Sequence, residues 1–73
     1  MTMGERIQSL RTGCGLSQEQ LAGLVGVSRQ AVSKWETGTA DPSTSNLLAL
    51  AKLFGVSAEE LLRQVDRTDA EEN

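Results

Sequence analysis

The chain has 73 residues, 38% of them hydrophobic, and a formal net charge of −3 at pH 7, which predicts one small domain. It contains no histidine and a single cysteine, so it lacks the commonest general base, an internal disulfide and any recognised zinc spacing. We therefore expect no enzyme activity, no metal and no cofactor. No apolar run approaches the roughly 20 residues of a membrane span, so we expect a cytoplasmic protein without membrane contact.

Helix starts are the clearest local signals along the chain. A Ser or Thr able to accept a hydrogen bond from the backbone N–H three residues later precedes each segment with helical periodicity. These predicted N-caps are Thr2, Ser17, Ser28, Ser43 and Ser57. Glu or Gln follows three of them at the spacing of a reciprocal capping box, in the pairs Thr2–Glu5, Ser17–Gln20 and Ser57–Glu60. The sequence thus predicts five helices and no strand.

The apolar positions of these segments predict the core. The inward-facing residues are Ile7 and Leu10 in the first helix and Leu47, Leu50, Ala51 and Phe54 in the fourth. The last helix carries Leu61, Leu62 and Val65, some of which must serve the core. Glycines mark the helix ends, near residues 13–15 and at Gly55.

Residues 16–38 predict two short helices joined by a tight turn. Gly26 can adopt a positive φ without steric cost, and the small Ala22 lets the second of these helices approach the first closely. Two apolar staples, Leu16 with Leu21 and Val27 with Val32, close the helix starts. This arrangement is typical of a helix-turn-helix, whose second helix enters the DNA major groove.

The second helix of this pair has one polar face. At about 100° per residue, a continuous arc holds Arg29, Gln30, Ser33, Lys34 and Thr37. Ala31, Val32 and Trp35 lie on the opposite side, with Glu36 at the boundary. Such an arc can be an ordinary solvated face, but its place directly after the turn favours DNA binding.

The motifs, taken together and in order from about Ile7 to Leu62, resemble the lambda-repressor-like, or Xre-type, helix-turn-helix family of bacterial and phage transcription regulators. The matching elements are Arg11, GLSQEQLA at 15–22, GVS at 26–28, WETG at 35–38, Pro42 and LFGVS at 53–57. The resemblance implies an all-α, compact five-helix DNA-binding domain, which we place at residues 1–65. Residues 66–73 carry four acids and one base and are expected to form an acidic, flexible tail.

By resemblance, the chain is a sequence-specific regulator of transcription and a repressor, which binds the major groove of a palindromic operator in double-stranded DNA as a homodimer through helix 28–37. The residues expected to contact DNA are Gln18, Ser28, Arg29, Gln30, Ser33, Lys34, Thr37 and Thr39. Gln30 suits adenine, and Arg29 suits guanine or a phosphate. Gln18 is expected to hold a phosphate. Ser33 and Lys34 are expected to contact either a base edge or the DNA backbone.

The resemblance also implies a scaffold contact, a structural salt bridge between Arg11 and Glu36. The loop after the recognition helix departs from the family pattern, because residues 38–41 carry no Lys or Arg. Only backbone amides and hydroxyls are therefore expected to contact phosphates there. The apolar residues available for a dimer contact are Leu61, Leu62 and Val65.

One alternative function remains open from the sequence. The acidic tail and the electrically neutral remainder of the chain also suit a protein-binding regulatory module, for example an antitoxin-like domain, with weak or vestigial DNA binding.

Overall fold

A computed structural model describes residues 1–62, which form five α-helices and no strand. The helices are α1 (Met3–Gly13), α2 (Gln18–Val25), α3 (Arg29–Thr37), α4 (Thr44–Phe54) and α5 (Ala58–Leu62). The predicted all-α, five-helix class is confirmed. Val65 and the acidic tail 66–73 lie outside the described residues, as does the predicted domain boundary at residue 65. Within the described part, no helix is long and apolar enough to cross a membrane.

The helices begin where the capping signals predicted. Thr2 and Ser17 form reciprocal capping boxes, in which each hydroxyl accepts the N–H of the third helical residue and that residue's side chain returns a bond to the cap. At the start of α5, the Glu60 N–H donates to Ser57 Oγ at 3.0 Å, but the described bonds between these two residues include no return bond. The third predicted box is therefore only half formed.

The turn between α2 and α3 has the predicted left-handed residue. Gly26 has φ +91° and ψ +33°, a conformation in which a Cβ would be strained. The N–H groups of Gly26 and Val27 both donate to the Ala22 carbonyl, at 2.8 and 2.9 Å. This closure ends α2 and starts α3 within three residues.

Every helix contributes one side chain with no solvent exposure to a shared core. These residues are Ile7, Leu21, Val32, Leu50 and Leu61. Leu10 and Phe54, predicted to face inward, are only partly buried against this cluster. Of the apolar residues predicted for the last helix, Leu61 is buried in the core and Leu62 is 55% exposed.

The first turn of α1 packs on the end of α3 at van der Waals limits, a contact that the sequence did not predict. An ideal Cβ built on Gly4 would lie 2.3 Å from the Trp35 carbonyl oxygen and 2.7 Å from that of Glu36. Both atoms belong to the backbone, which cannot swing aside as a side chain would. Glycine at this position therefore permits the close approach of α1 to α3.

Gly4→Ala should lower the free energy of unfolding by about 1–3 kcal/mol, because the added methyl group must push two helices apart. The matched control is Gly23→Ala in α2, where an added Cβ meets nothing within 4 Å. That control should be neutral or stabilising by up to about 1 kcal/mol, owing to the helix propensity of Ala. Urea unfolding followed by circular dichroism measures both variants, and equal effects would contradict the close packing.

Candidate nucleic-acid interface

The polar face of α3 is presented to solvent because its opposite face is buried. Val32 has no exposure and Trp35 is 5% exposed. The remaining surface forms an open depression of about 350 Å³. Its lining residues are Arg29, Gln30, Ser33 and Lys34. Arg29, Gln30 and Lys34 are exposed, whereas Ser33 is half-buried. The structure thus brings four of the predicted DNA-contacting residues together.

This face holds two cations, an amide and a hydroxyl. The one acid of α3, Glu36, is turned away, and its side chain is only 4% exposed. An anionic backbone approaching α3 therefore meets Arg29 and Lys34 without an opposing carboxylate from the same helix. An amide or a guanidinium on such a face can form two hydrogen bonds with the edge of one base.

Ser28 has a structural role at the start of α3. Its hydroxyl oxygen accepts the Ala31 N–H at 3.2 Å, which satisfies one of the free donors at the helix start. The hydroxyl proton is not consumed by this bond, so Ser28 retains one donor for an outside group.

Thr37 and Thr39 form a pair at the opposite end of α3. Their hydroxyl oxygens are 2.9 Å apart, and Thr37 Oγ1 also lies 3.1 Å from the Ser33 carbonyl oxygen. A hydroxyl has one proton, so when Thr37 donates to that carbonyl, Thr39 donates to Thr37. In this arrangement neither hydroxyl proton is free for a phosphate.

The amides of Gly38, Thr39 and Ala40 are also engaged, which corrects for these three residues the prediction that the loop amides remain for phosphate contact. Gly38, at φ +82°, ends α3 with a left-handed cap. Its N–H donates to the Trp35 carbonyl at 3.2 Å, and those of Thr39 and Ala40 donate to the Lys34 carbonyl at 2.9 and 3.3 Å. The cap uses these amides because the last carbonyls of a helix have no partner within it.

The predicted salt bridge between Arg11 and Glu36 is confirmed. Arg11 Nε lies 2.7 Å from Glu36 Oε2 and Nη2 lies 3.2 Å from Oε1, a two-point contact between α1 and α3. The side chains are 11% and 4% exposed. Arg11 Nη1 also donates to the Leu16 carbonyl at 2.8 Å, which fixes the turn before α2.

Gln18 joins this network, which the sequence did not predict. Its Nε2 donates to Glu36 Oε1 at 2.9 Å. The amide predicted to hold a phosphate is therefore bound to the recognition helix through one of its two N–H groups. The one sequence signal for this contact is that Gln18 lies four residues before the small, buried Ala22, a spacing that places both on one face of α2.

Glu36→Ala should lower the free energy of unfolding by about 3–5 kcal/mol, because it leaves the guanidinium of Arg11 buried without its carboxylate. Glu19→Ala, which removes an exposed carboxylate from the first turn of α2, should cost less than about 1 kcal/mol. The fluorescence of the buried Trp35 reports unfolding of both variants in urea. An unchanged midpoint for Glu36→Ala would show that the pair does not support the fold.

Comparison with known proteins identifies relatives with the same architecture. A family model described as Helix-turn-helix matches residues 7–61. The HTH-type transcriptional activator BcrR of Enterococcus faecalis is 48% identical over 62 residues, which are 85% of this chain and 30% of that protein. Repressor protein C2 of Salmonella phage P22 is 43% identical over 61 residues, 84% of this chain and 28% of that protein. The chain thus spans less than a third of the length of these two relatives.

Solved structures show the same fold. The P22 c2 repressor, crystallised in complex with a synthetic operator, superposes with a TM-score of 0.83 at 41% identity, covering 86% of this chain and 96% of that one. The biofilm regulator SinR in complex with DNA superposes with a TM-score of 0.78 at 30% identity, covering 85% of this chain and all of that one.

Proposed function

The chain belongs to the lambda-repressor-like helix-turn-helix family, and we propose that it is a sequence-specific DNA-binding repressor of transcription that inserts α3 into the major groove. The observation that carries this proposal is the polar face of α3, which combines Arg29, Gln30 and Lys34 with no exposed carboxylate. A domain bound over a promoter represses by occupying it, without any further contact, and acts in the cytoplasm where that DNA lies.

Base reading is assigned to the first turn of α3. Gln30 can bond the N6 and N7 positions of adenine with its amide, and Arg29 can bond O6 and N7 of guanine. Lys34 and the half-buried Ser33 lie one turn further along the same face, within reach of a base edge or the adjoining phosphate. Gln18 and the Ser28 hydroxyl contribute backbone contacts that set the register of the helix.

Few cations on this surface are placed to contact the phosphates of the DNA backbone. Arg29 and Lys34 are the cations on the face of α3, and the Thr37 and Thr39 hydroxyls are hydrogen-bonded to each other. Affinity falls as the salt concentration rises, and each phosphate neutralised by a cation makes the slope of log affinity against log salt concentration more negative by about 0.9. We therefore assign to this domain a shallow salt dependence and weak non-specific binding, with base contacts supplying more of the affinity.

A homodimer on a palindromic operator follows from the limited reach of one recognition helix. Two helices about 34 Å apart enter the same side of the duplex and double the sequence that is read. Leu61 is buried in the core, whereas Leu48 on α4 and Leu62 on α5 are each 55% exposed. The described residues also expose Leu24 and Leu53. We assign Leu48 and Leu62 to the dimer contact because they are the most exposed leucines of the last two helices. Two leucines support only a weak free dimer.

Gln30→Ala should lower affinity about tenfold or more for a duplex selected by the wild-type chain from a random library, because it removes the amide that pairs with adenine. Gln8→Ala, which removes an exposed amide from α1, should leave binding unchanged. Electrophoretic mobility shifts measure both. If the wild-type chain selects no sequence, DNA recognition is contradicted, and the protein-binding module becomes the better reading.

The isolated chain should show a concentration-dependent equilibrium between monomer and dimer, shifted toward the dimer by palindromic DNA because that DNA binds the paired form better. Sedimentation equilibrium with and without the selected duplex measures this shift. The double variant Leu48→Ser, Leu62→Ser should weaken dimerisation while the isolated fold persists, since both side chains are exposed. One monomer per operator at full affinity would contradict the dimer.

A further inference from the structure

Gln18 links the start of α2 to the recognition helix, α3. It is the first residue of α2, it is half-buried, and its amide nitrogen is 2.9 Å from Glu36 Oε1 in the last turn of α3. A carboxamide carries two N–H donors on one planar nitrogen. Glu36 takes one of them, and the planarity of the group directs the other away from Glu36.

The Glu36 carboxylate is also held in place by contacts other than its bond to Gln18. Arg11 donates to both of its oxygens, at 2.7 and 3.2 Å, and Arg11 is tied in turn to the Leu16 carbonyl at 2.8 Å. An unrestrained glutamine has several rotatable bonds, and ordering such a side chain opposes binding. A glutamine already held by a fixed carboxylate loses less freedom when it binds a phosphate.

We propose that Glu36 is a positioning residue for DNA binding, which holds the Gln18 amide so that its second N–H meets one phosphate at a fixed distance from α3. This role rests on the proposed function. Contacts to phosphates set the orientation of a protein on the duplex, so a rigid link between Gln18 and α3 fixes the register in which Arg29 and Gln30 face the bases. Glu36 acts through Gln18 and does not touch DNA.

Ethylation interference on the duplex selected by the wild-type chain tests this role phosphate by phosphate. Gln18→Met should abolish interference at one phosphate in each half-site and keep it elsewhere. Glu36→Gln should affect that same phosphate, with affinity falling about tenfold, the effect of losing one hydrogen bond to a charged group. The double variant should bind no worse than the weaker single variant, because the two residues act as a unit. Gln8→Met should leave every phosphate unchanged.

A purely structural role for Glu36 gives a different pattern. If Glu36→Gln weakens interference at every phosphate equally, or leaves the Gln18 phosphate intact, the positioning role is overturned while the proposed function stands. If the wild-type chain selects no duplex, the proposed function fails, and the inference fails with it.

The wild-type chain provides a second readout that does not depend on whether Glu36→Gln folds. In the nuclear magnetic resonance spectrum, one of the two Gln18 side-chain amide protons should be protected from exchange in the free domain and remain so on the operator. Exchange of both Gln18 protons with water as fast as those of the exposed Gln8 amide, in either state, would overturn the proposal.

Discussion

The orientation of the recognition helix depends on a single buried ion pair. Arg11 and Glu36 are 25 residues apart in sequence and meet at 2.7 Å with almost no solvent exposure. Burying two charges costs several kcal/mol of desolvation for each ion, which good geometry and additional hydrogen bonds must offset. Here the Leu16 carbonyl and the Gln18 amide supply those bonds. The result is a polar junction that fixes α1, the first turn and the start of α2 against the end of α3.

A core this small cannot fix those angles by packing alone. Each helix contributes one side chain without solvent exposure, and the hydrophobic effect that buries these side chains is nondirectional. Hydrogen bonds and ion pairs are directional, and Gly4 lets α1 reach the carbonyls of Trp35 and Glu36. The junction and the glycine contact restrain the two ends of α1 on the same helix, which makes α3 a rigid reading element.

Local features of this domain could be predicted from sequence, and contacts between distant residues could not. The caps at Thr2, Ser17 and Ser28 act within three residues, and so does the turn at Gly26, so their residue types are sufficient signals. The Arg11–Glu36 pair came only through family resemblance. Nothing in the composition of α1 showed that Gly4 faces the α3 carbonyls, since that contact depends on the angle between helices. The hydrogen bonds of the Gly38, Thr39 and Ala40 amides were missed because the α3 carbonyls that need partners after the helix ends were not counted from the sequence.

The internal hydrogen bonds of the loop after α3 affect how much of the DNA affinity is independent of the base sequence. A loop in which the Gly38, Thr39 and Ala40 amides are engaged internally gives little sequence-independent attraction, and an α3 face with two cations adds only a few ion contacts. Under the proposed function, the free energy of binding comes in larger part from groups assigned to bases, Gln30 and Arg29, which bind poorly where the bases are wrong. Weak non-specific binding limits occupancy of competing sites in a genome, where the ratio of specific to non-specific affinity decides regulation. A neutral domain with a rigid reading helix is therefore suited to selecting a site rather than to holding DNA in general.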